Sequence, residues 1–186
     1  WHGAATLAFF ALLRGLRLRP LPAFLAALLW AVHPQRVESV VWVSERKDVL
    51  CAAFYLAALV AYLRALGHGR RPWLALGLFV AAMLRKSMAI SLPVALIAIE
   101  LHRWVGTHGL RLPDRNGWRA VVRRLLPFVV VALLFVPVTV YFQSIPAEET
   151  TPARQLGVAV HNLLWYAVKT VLPGGLCPIY PRITFS

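Results

Sequence analysis

The sequence predicts an all-α integral membrane protein: a polytopic helical bundle of about seven apolar segments with one short amphipathic outer helix. Three observations carry this. Hydrophobic residues make up 60% of the 186 positions and charged ones 15%, against roughly 45–50% and about 25% in a soluble domain. Such a chain cannot cover a water-facing surface with polar groups, and the same composition excludes disorder and coiled coil. Apolar runs alternate with short charged breaks along its whole length. The charge is lopsided, with 20 Lys+Arg against 7 Asp+Glu. In a water-soluble chain that excess points to nucleic acid. Between apolar runs it reads instead as basic cytoplasmic loops that set orientation, so nucleic acid is not an expected partner.

The runs follow in order. Gly3–Leu13 ends at Arg14, Arg17 and Arg19, and Leu21–Val32 comes next. A polar stretch, 33–48, precedes Val49–Leu66, which closes in Arg64, His68, Arg70 and Arg71. Trp73–Leu84 and Met88–Leu101 are separated by Arg85, Lys86 and Ser87. A basic cytoplasmic loop, 102–124, leads to Leu125–Phe142. A polar outer loop, 143–155, precedes Leu156–Leu172. A bilayer core of about 30 Å needs roughly 20 helical residues. Only the third and sixth runs approach that unaided. The pair around Arg85–Lys86 is expected to be tilted, extended into its flanks, or broken, as segments inside a bundle tolerate. Trp30, Trp42, Trp73, Trp104 and Trp118 lie near run ends, where interfacial aromatics belong.

Counting Lys and Arg puts the breaks at Arg14–Arg19, Arg64–Arg71 and 102–124 in the cytoplasm. Alternation then puts 33–48, Arg85–Lys86 and 143–155 outside. Lys169 falls on the cytoplasmic side by the same count. If the last run is a re-entrant outer helix, Lys169 joins the outer face instead. Glu100, beside His102 and Arg103, is expected to pair locally. The basic loop is expected to attract anionic lipid. The chain begins at Trp1 and reads as a piece of a longer protein without a signal peptide. Cys51 and Cys177 imply no disulfide framework and no thiolate metal site. There is no His-x-x-x-His pair, Gly-rich phosphate loop or nucleophile elbow. A divalent-metal requirement stays open.

Three of the seven acidic residues, Glu38, Glu45 and Asp48, fall in the stretch 33–48. From Pro34 onward the spacing is helical, with Glu38, Trp42 and Glu45 on one face. The plainer reading of this stretch is a solvated loop of paired charges. Arg85 and Lys86 are the sharper electrostatic case. A cation between apolar runs is costly at membrane depth and calls for a partner or a cavity, and a lipid phosphate at headgroup level is a natural one. The plainer reading is that both snorkel to an interface. Arg46 is a second phosphate candidate, because a guanidinium grips phosphate with two hydrogen bonds.

His33-Pro34-x-x-Val37-Glu38-Ser39-Val40-x-Trp42-Val43-x-x-Arg46-x-Asp48-x-Leu50 resembles a motif of the transmembrane and tetratricopeptide-repeat proteins and their bacterial relatives, in the GT-C glycosyltransferase superfamily. Leu84-Arg85-Lys86-Ser87-Met88-Ala89-Ile90-Ser91-Leu92-Pro93 is similar to that family's Ser-Lys-Pro-Met-x-x-Thr-Leu-Pro stretch. Ser87 stands where the family has proline, and Arg85 where it has a small residue. Lys169-Thr170-x-x-Pro173 with Tyr180-Pro181 is similar to its Lys-Thr-x-x-Pro and Tyr-Pro signature.

The resemblance implies a GT-C-like fold, with 1–186 as part of a transmembrane glycosyltransferase domain. It implies an enzyme that uses a polyprenyl-phosphate-linked sugar on the extracytoplasmic side of a bacterial inner membrane or of the endoplasmic reticulum. The partners are then membrane lipid, the lipid-linked sugar and a protein acceptor, with no certain cofactor. The main catalytic acid of such enzymes is expected in an earlier outer loop, before Trp1. Transfer needs a carboxylate to handle the acceptor hydroxyl and cations to neutralise the departing phosphate. Glu38, Asp48 and His33 are the catalytic candidates; Arg46, Glu45, Trp42, Arg85 and Lys86 are the substrate-binding ones. Two other readings remain. A non-catalytic anchor of a repeat protein would leave these charges scattered. A transporter would line a midplane path and carry an internal repeat, and none is visible.

Overall fold

A computed structural model describes residues 1–34, 46–109, 114–143 and 152–171. Every regular element among them is helical. They are α1 (His2–Gly15), α2 (Pro20–Val32), α3 (Arg46–Gly67), α4 (Trp73–Met83), a 3₁₀ turn (Ser87–Ser91), α5 (Leu92–His108), α6 (Arg115–Gln143) and α7 (Pro152–Val171). Helices satisfy their own backbone hydrogen bonds, which a lipid surround demands.

Among the described residues, three helical stretches are long and apolar enough to cross a membrane: Arg46–Gly67, Ser87–His108 and Arg115–Tyr141. Large apolar side chains point outward along α2 and α6, among them Leu21, Phe24, Leu29, Leu133 and Leu134. A water-soluble protein does not expose such a surface; a lipid-facing one does. The chain is an all-α membrane protein.

α3 packs against both α1 and α4, and α1 also packs against α2. Small residues let the backbones approach: Ala5, Ala23, Ala27, Ala58, Ala75 and Ala82 are buried. A methyl group on Gly15 would meet Leu63 Cδ1 at 3.0 Å. The centre is aromatic. Phe128 packs edge-on to Tyr62 at 5.7 Å and against Phe79 at 6.0 Å, and all three are fully buried.

Two features differ from the sequence reading. The basic stretch 102–124 is largely helix, because α5 runs through His108 and α6 starts at Arg115. Arginine is a good helix former, and its long stem reaches water from a helix end. Asp114 starts α6 as its cap: its Oδ1 accepts a hydrogen bond from the Gly117 backbone N–H at 2.8 Å. The second difference concerns Glu100. It does not settle on His102 or Arg103 but accepts from Tyr62 OH at 2.7 Å and from Arg124 Nη1 at 2.9 Å. Its position on α5 turns it into the bundle, and a buried carboxylate must find donors there.

Trp73–Leu84 resolves as a short helix followed by a break. α4 has 11 residues, about 16 Å at 1.5 Å per residue, and Lys86 is extended before the 3₁₀ turn. Pro93 stands in the first turn of α5, where its missing N–H costs nothing. The chain therefore breaks at Arg85–Lys86 without the proline that the family places at 87.

Candidate functional site

The break after α4 brings Lys86 to the start of α3. Its Nζ donates to Asp48 Oδ2 at 2.5 Å, with both side chains only partly exposed. Asp48 lies in the first turn of α3, where a carboxylate also meets the positive end of the helix dipole. Lys86 is thus the partnered cation that an apolar setting requires. The other carboxylate oxygen, Oδ1, is shielded from solvent and accepts no hydrogen bond from the described residues.

This pair sits in the wall of a cavity of about 340 Å³ between α1, α2, α3 and the 3₁₀ turn. His2, Trp30, Tyr55 and Ser91 supply most of the remaining polar and aromatic lining. His2 is held in place. Its ring stacks on Trp30 at 5.4 Å, and its Nε2–H donates to the Ala31 carbonyl at 3.0 Å. Tyr55 OH and Ser91 Oγ lie 3.3 Å apart, and Ser91 also donates to the Met88 carbonyl. Cys51 Sγ approaches the Lys86 carbonyl at 3.9 Å. The cavity thus joins one cation, one carboxylate and two hydroxyls with the rings of His2, Phe9, Trp30 and Tyr55. Among the described residues, no three His, Cys, Asp or Glu side chains come together as a metal site would need.

Of the residues singled out from sequence, Asp48 and Lys86 meet. Arg46 and Arg85 are exposed and do not line the cavity. His33 ends α2, and its Nε2–H donates to the Thr170 carbonyl of α7 at 3.0 Å. Glu38, Trp42 and Glu45, with the amphipathic helix expected around them, lie outside the described residues. The His33–Thr170 contact brings the end of α7 to the same end of the bundle as Asp48, contrary to simple alternation. Lys169, one residue earlier, lies 5.5 Å from the Trp165 ring centre.

Sequence reasoning missed His2, Tyr55 and Ser91. For Tyr55 a signal existed: Asp48, Ala52 and Tyr55 recur at helical spacing and share a face. Ser91 falls on the threonine of the Ser-Lys-Pro-Met-x-x-Thr-Leu-Pro stretch, a hydroxyl in both; His2 carried no comparable mark.

Comparison with known proteins adds a second line. The chain is similar to protein O-mannosyl-transferases. Protein O-mannosyl-transferase TMTC4 of Homo sapiens is 39% identical over 87 residues, which is 42% of this chain and 12% of the relative. Its Mus musculus counterpart is 37% identical over 84 residues, 40% of this chain and 11% of the relative. Protein O-mannosyl-transferase Tmtc3 of Drosophila melanogaster is 36% identical over 88 residues, 42% and 10%. This chain thus spans about a tenth of the length of these mannosyl-transferases. No family model and no solved structure matches.

Proposed function

We propose that this chain is part of an integral membrane glycosyltransferase that moves a sugar from a polyprenyl-phosphate donor to an acceptor hydroxyl on the extracytoplasmic side. The observation that carries the reading is the Asp48–Lys86 pair in the wall of the cavity formed by α1, α2, α3 and the 3₁₀ turn. The arginine-rich end of the bundle, which the Lys and Arg count assigns to the cytoplasm, lies opposite. The relatives' names supply the reaction class: mannose as the sugar and a protein hydroxyl as the acceptor.

In this reading the acceptor oxygen attacks the anomeric carbon as the bond to the lipid phosphate breaks. The phosphate leaves with the bonding pair, and the acceptor proton passes to a carboxylate. Lys86 neutralises the phosphate where its charge grows. Asp48 holds the ammonium in place with Oδ2. Trp30 and His2 give flat surfaces for a sugar face, Tyr55 can donate to its hydroxyls, and Ser91 Oγ, whose hydrogen goes to the Met88 carbonyl, can accept from one.

The test is sugar transfer by the complete protein from polyprenyl-phosphate mannose. Lys86→Met is expected to lower kcat/KM at least a hundredfold, on the scale of losing one transition-state charge partner. Lys86→Arg is expected to restore part of it, and Asp48→Asn to fall between. Membrane insertion, read by protease protection, stays unchanged in all three. Unaltered transfer by Lys86→Met would sink the proposal and favour the anchor.

A further inference from the structure

The opposite end of the bundle carries a second, differently built site. The turn between α3 and α4 places Arg70 and Arg71 in the walls of two cavities at once. One, of about 700 Å³, lies against α6, where Arg123 and Arg124 add two more guanidiniums over a floor of Trp73 and Phe128. The other, of about 710 Å³, opens from Arg64, Arg70 and Arg71 along α3, α4 and α1, and its walls are Val60, Ala61, Leu74 and Leu78. Glu100 is the acid closest to this end in the ion-pair network, and Arg124 and Tyr62 already occupy it. Among the described residues, Arg70, Arg71 and Arg123 form no ion pair with a carboxylate.

We propose that this end binds an anionic glycerophospholipid. Its headgroup phosphate lies between Arg70, Arg71 and Arg123, and one acyl chain runs along the groove of Val60, Ala61, Leu74 and Leu78. Two features select this ligand over a free phosphate or a neutral lipid. Clustered guanidiniums without acids call for an anion, and their planar donor sets match phosphate oxygens. The apolar channel continuous with them calls for a hydrocarbon tail, and Trp73 lines the same cavity as the arginines, the residue type that meets headgroups at an interface. Charge complementarity and the shared walls of the two cavities make one amphiphile the simplest occupant. The site does not depend on the transferase reading.

The experiment is native mass spectrometry of the purified full chain, titrated with phosphatidylglycerol or phosphatidylcholine in detergent. Phosphatidylglycerol is expected to bind at least tenfold more tightly. Arg70→Gln with Arg71→Gln is expected to lose roughly thirtyfold in that affinity, from about a fivefold contribution per arginine. The lysine pair at the same positions, which keeps the charge without the planar donor set, is expected to keep only part of it. Arg17→Gln with Arg103→Gln, which line a separate small cleft at the same end, leaves it unchanged. Val60→Trp, which fills the groove, weakens lipid binding but not that of soluble glycerol 3-phosphate. Circular dichroism shows that each variant keeps its helices. Equal retention of the two lipids, or an equal loss from the Arg17 and Arg103 pair, overturns the site. Glycerol 3-phosphate binding as tightly as the lipid overturns the lipid assignment in favour of free phosphate.

Discussion

Glu100 is buried, 8% exposed, and takes both of its hydrogen bonds through Oε1, from Tyr62 and Arg124. The node ties α3, α5 and α6 together at one depth. Removing the carboxylate strands a phenol and a guanidinium. Glu100→Ala is therefore expected to cost about 2–3 kcal/mol, at the low end for a broken buried pair because Arg124 stays partly exposed. Tyr62→Phe removes one charge-assisted hydrogen bond and is expected to cost about 1.5 kcal/mol. Thermal unfolding in detergent ranks the two; a larger loss from Tyr62→Phe would show that the node is not centred on the carboxylate. Residues of this scale were partly legible in the sequence. Asp48 and Lys86 stood out as charges beside apolar runs, and they meet. Glu100 also stood out, but its partners lie on two other helices, 38 and 24 positions away. Local spacing names a neighbour on the same helix and is silent about one across the bundle.

Helix positions were legible from the apolar runs, because each run is bounded by charges that a lipid core rejects. Helix ends were less so. Arginines at the ends of α5 and α6 are compatible with helix, and composition alone does not separate a basic helix end from a basic loop. α4 is the informative case. Its 11 residues fall well short of the roughly 20 that cross a bilayer core, yet it packs against α3 as extensively as the longer α1 does. Its hold is the aromatic centre, with Phe79 of α4 against Phe128 of α6. Phe128→Ala is expected to lower stability by about 3 kcal/mol and to loosen α4 before α3. Hydrogen exchange resolved by helix reads this directly. Uniform loss of protection across all helices would show that α4 is held by something else.

At the scale of the whole molecule, charge divides the bundle into two ends. Asp48 and Lys86 occupy one, and the arginines around Arg70 and Arg123 the other. α3 links them with 22 residues, a rise of about 33 Å and so enough to span the core. Single cysteines at Met88 and Thr107, in a background without Cys51 and Cys177, are expected to react with impermeant maleimide from opposite faces of the membrane. Thr107 is expected on the cytoplasmic face by the positive-inside count. Reaction from one face would collapse the two-ended arrangement. This division was legible from Lys and Arg counts, but the place of α7 was not. Alternation assumes that each helix crosses, and α7 instead returns to His33.

That return has a temporal meaning. The His33–Thr170 hydrogen bond closes a loop of 137 positions, so the ribosome must deliver the chain through Thr170 before the clasp can form. Early helices pair as they emerge, whereas this corner waits for α7. A stalled or shortened product ending before Pro152 would hold an inserted bundle whose His33 corner was never fastened.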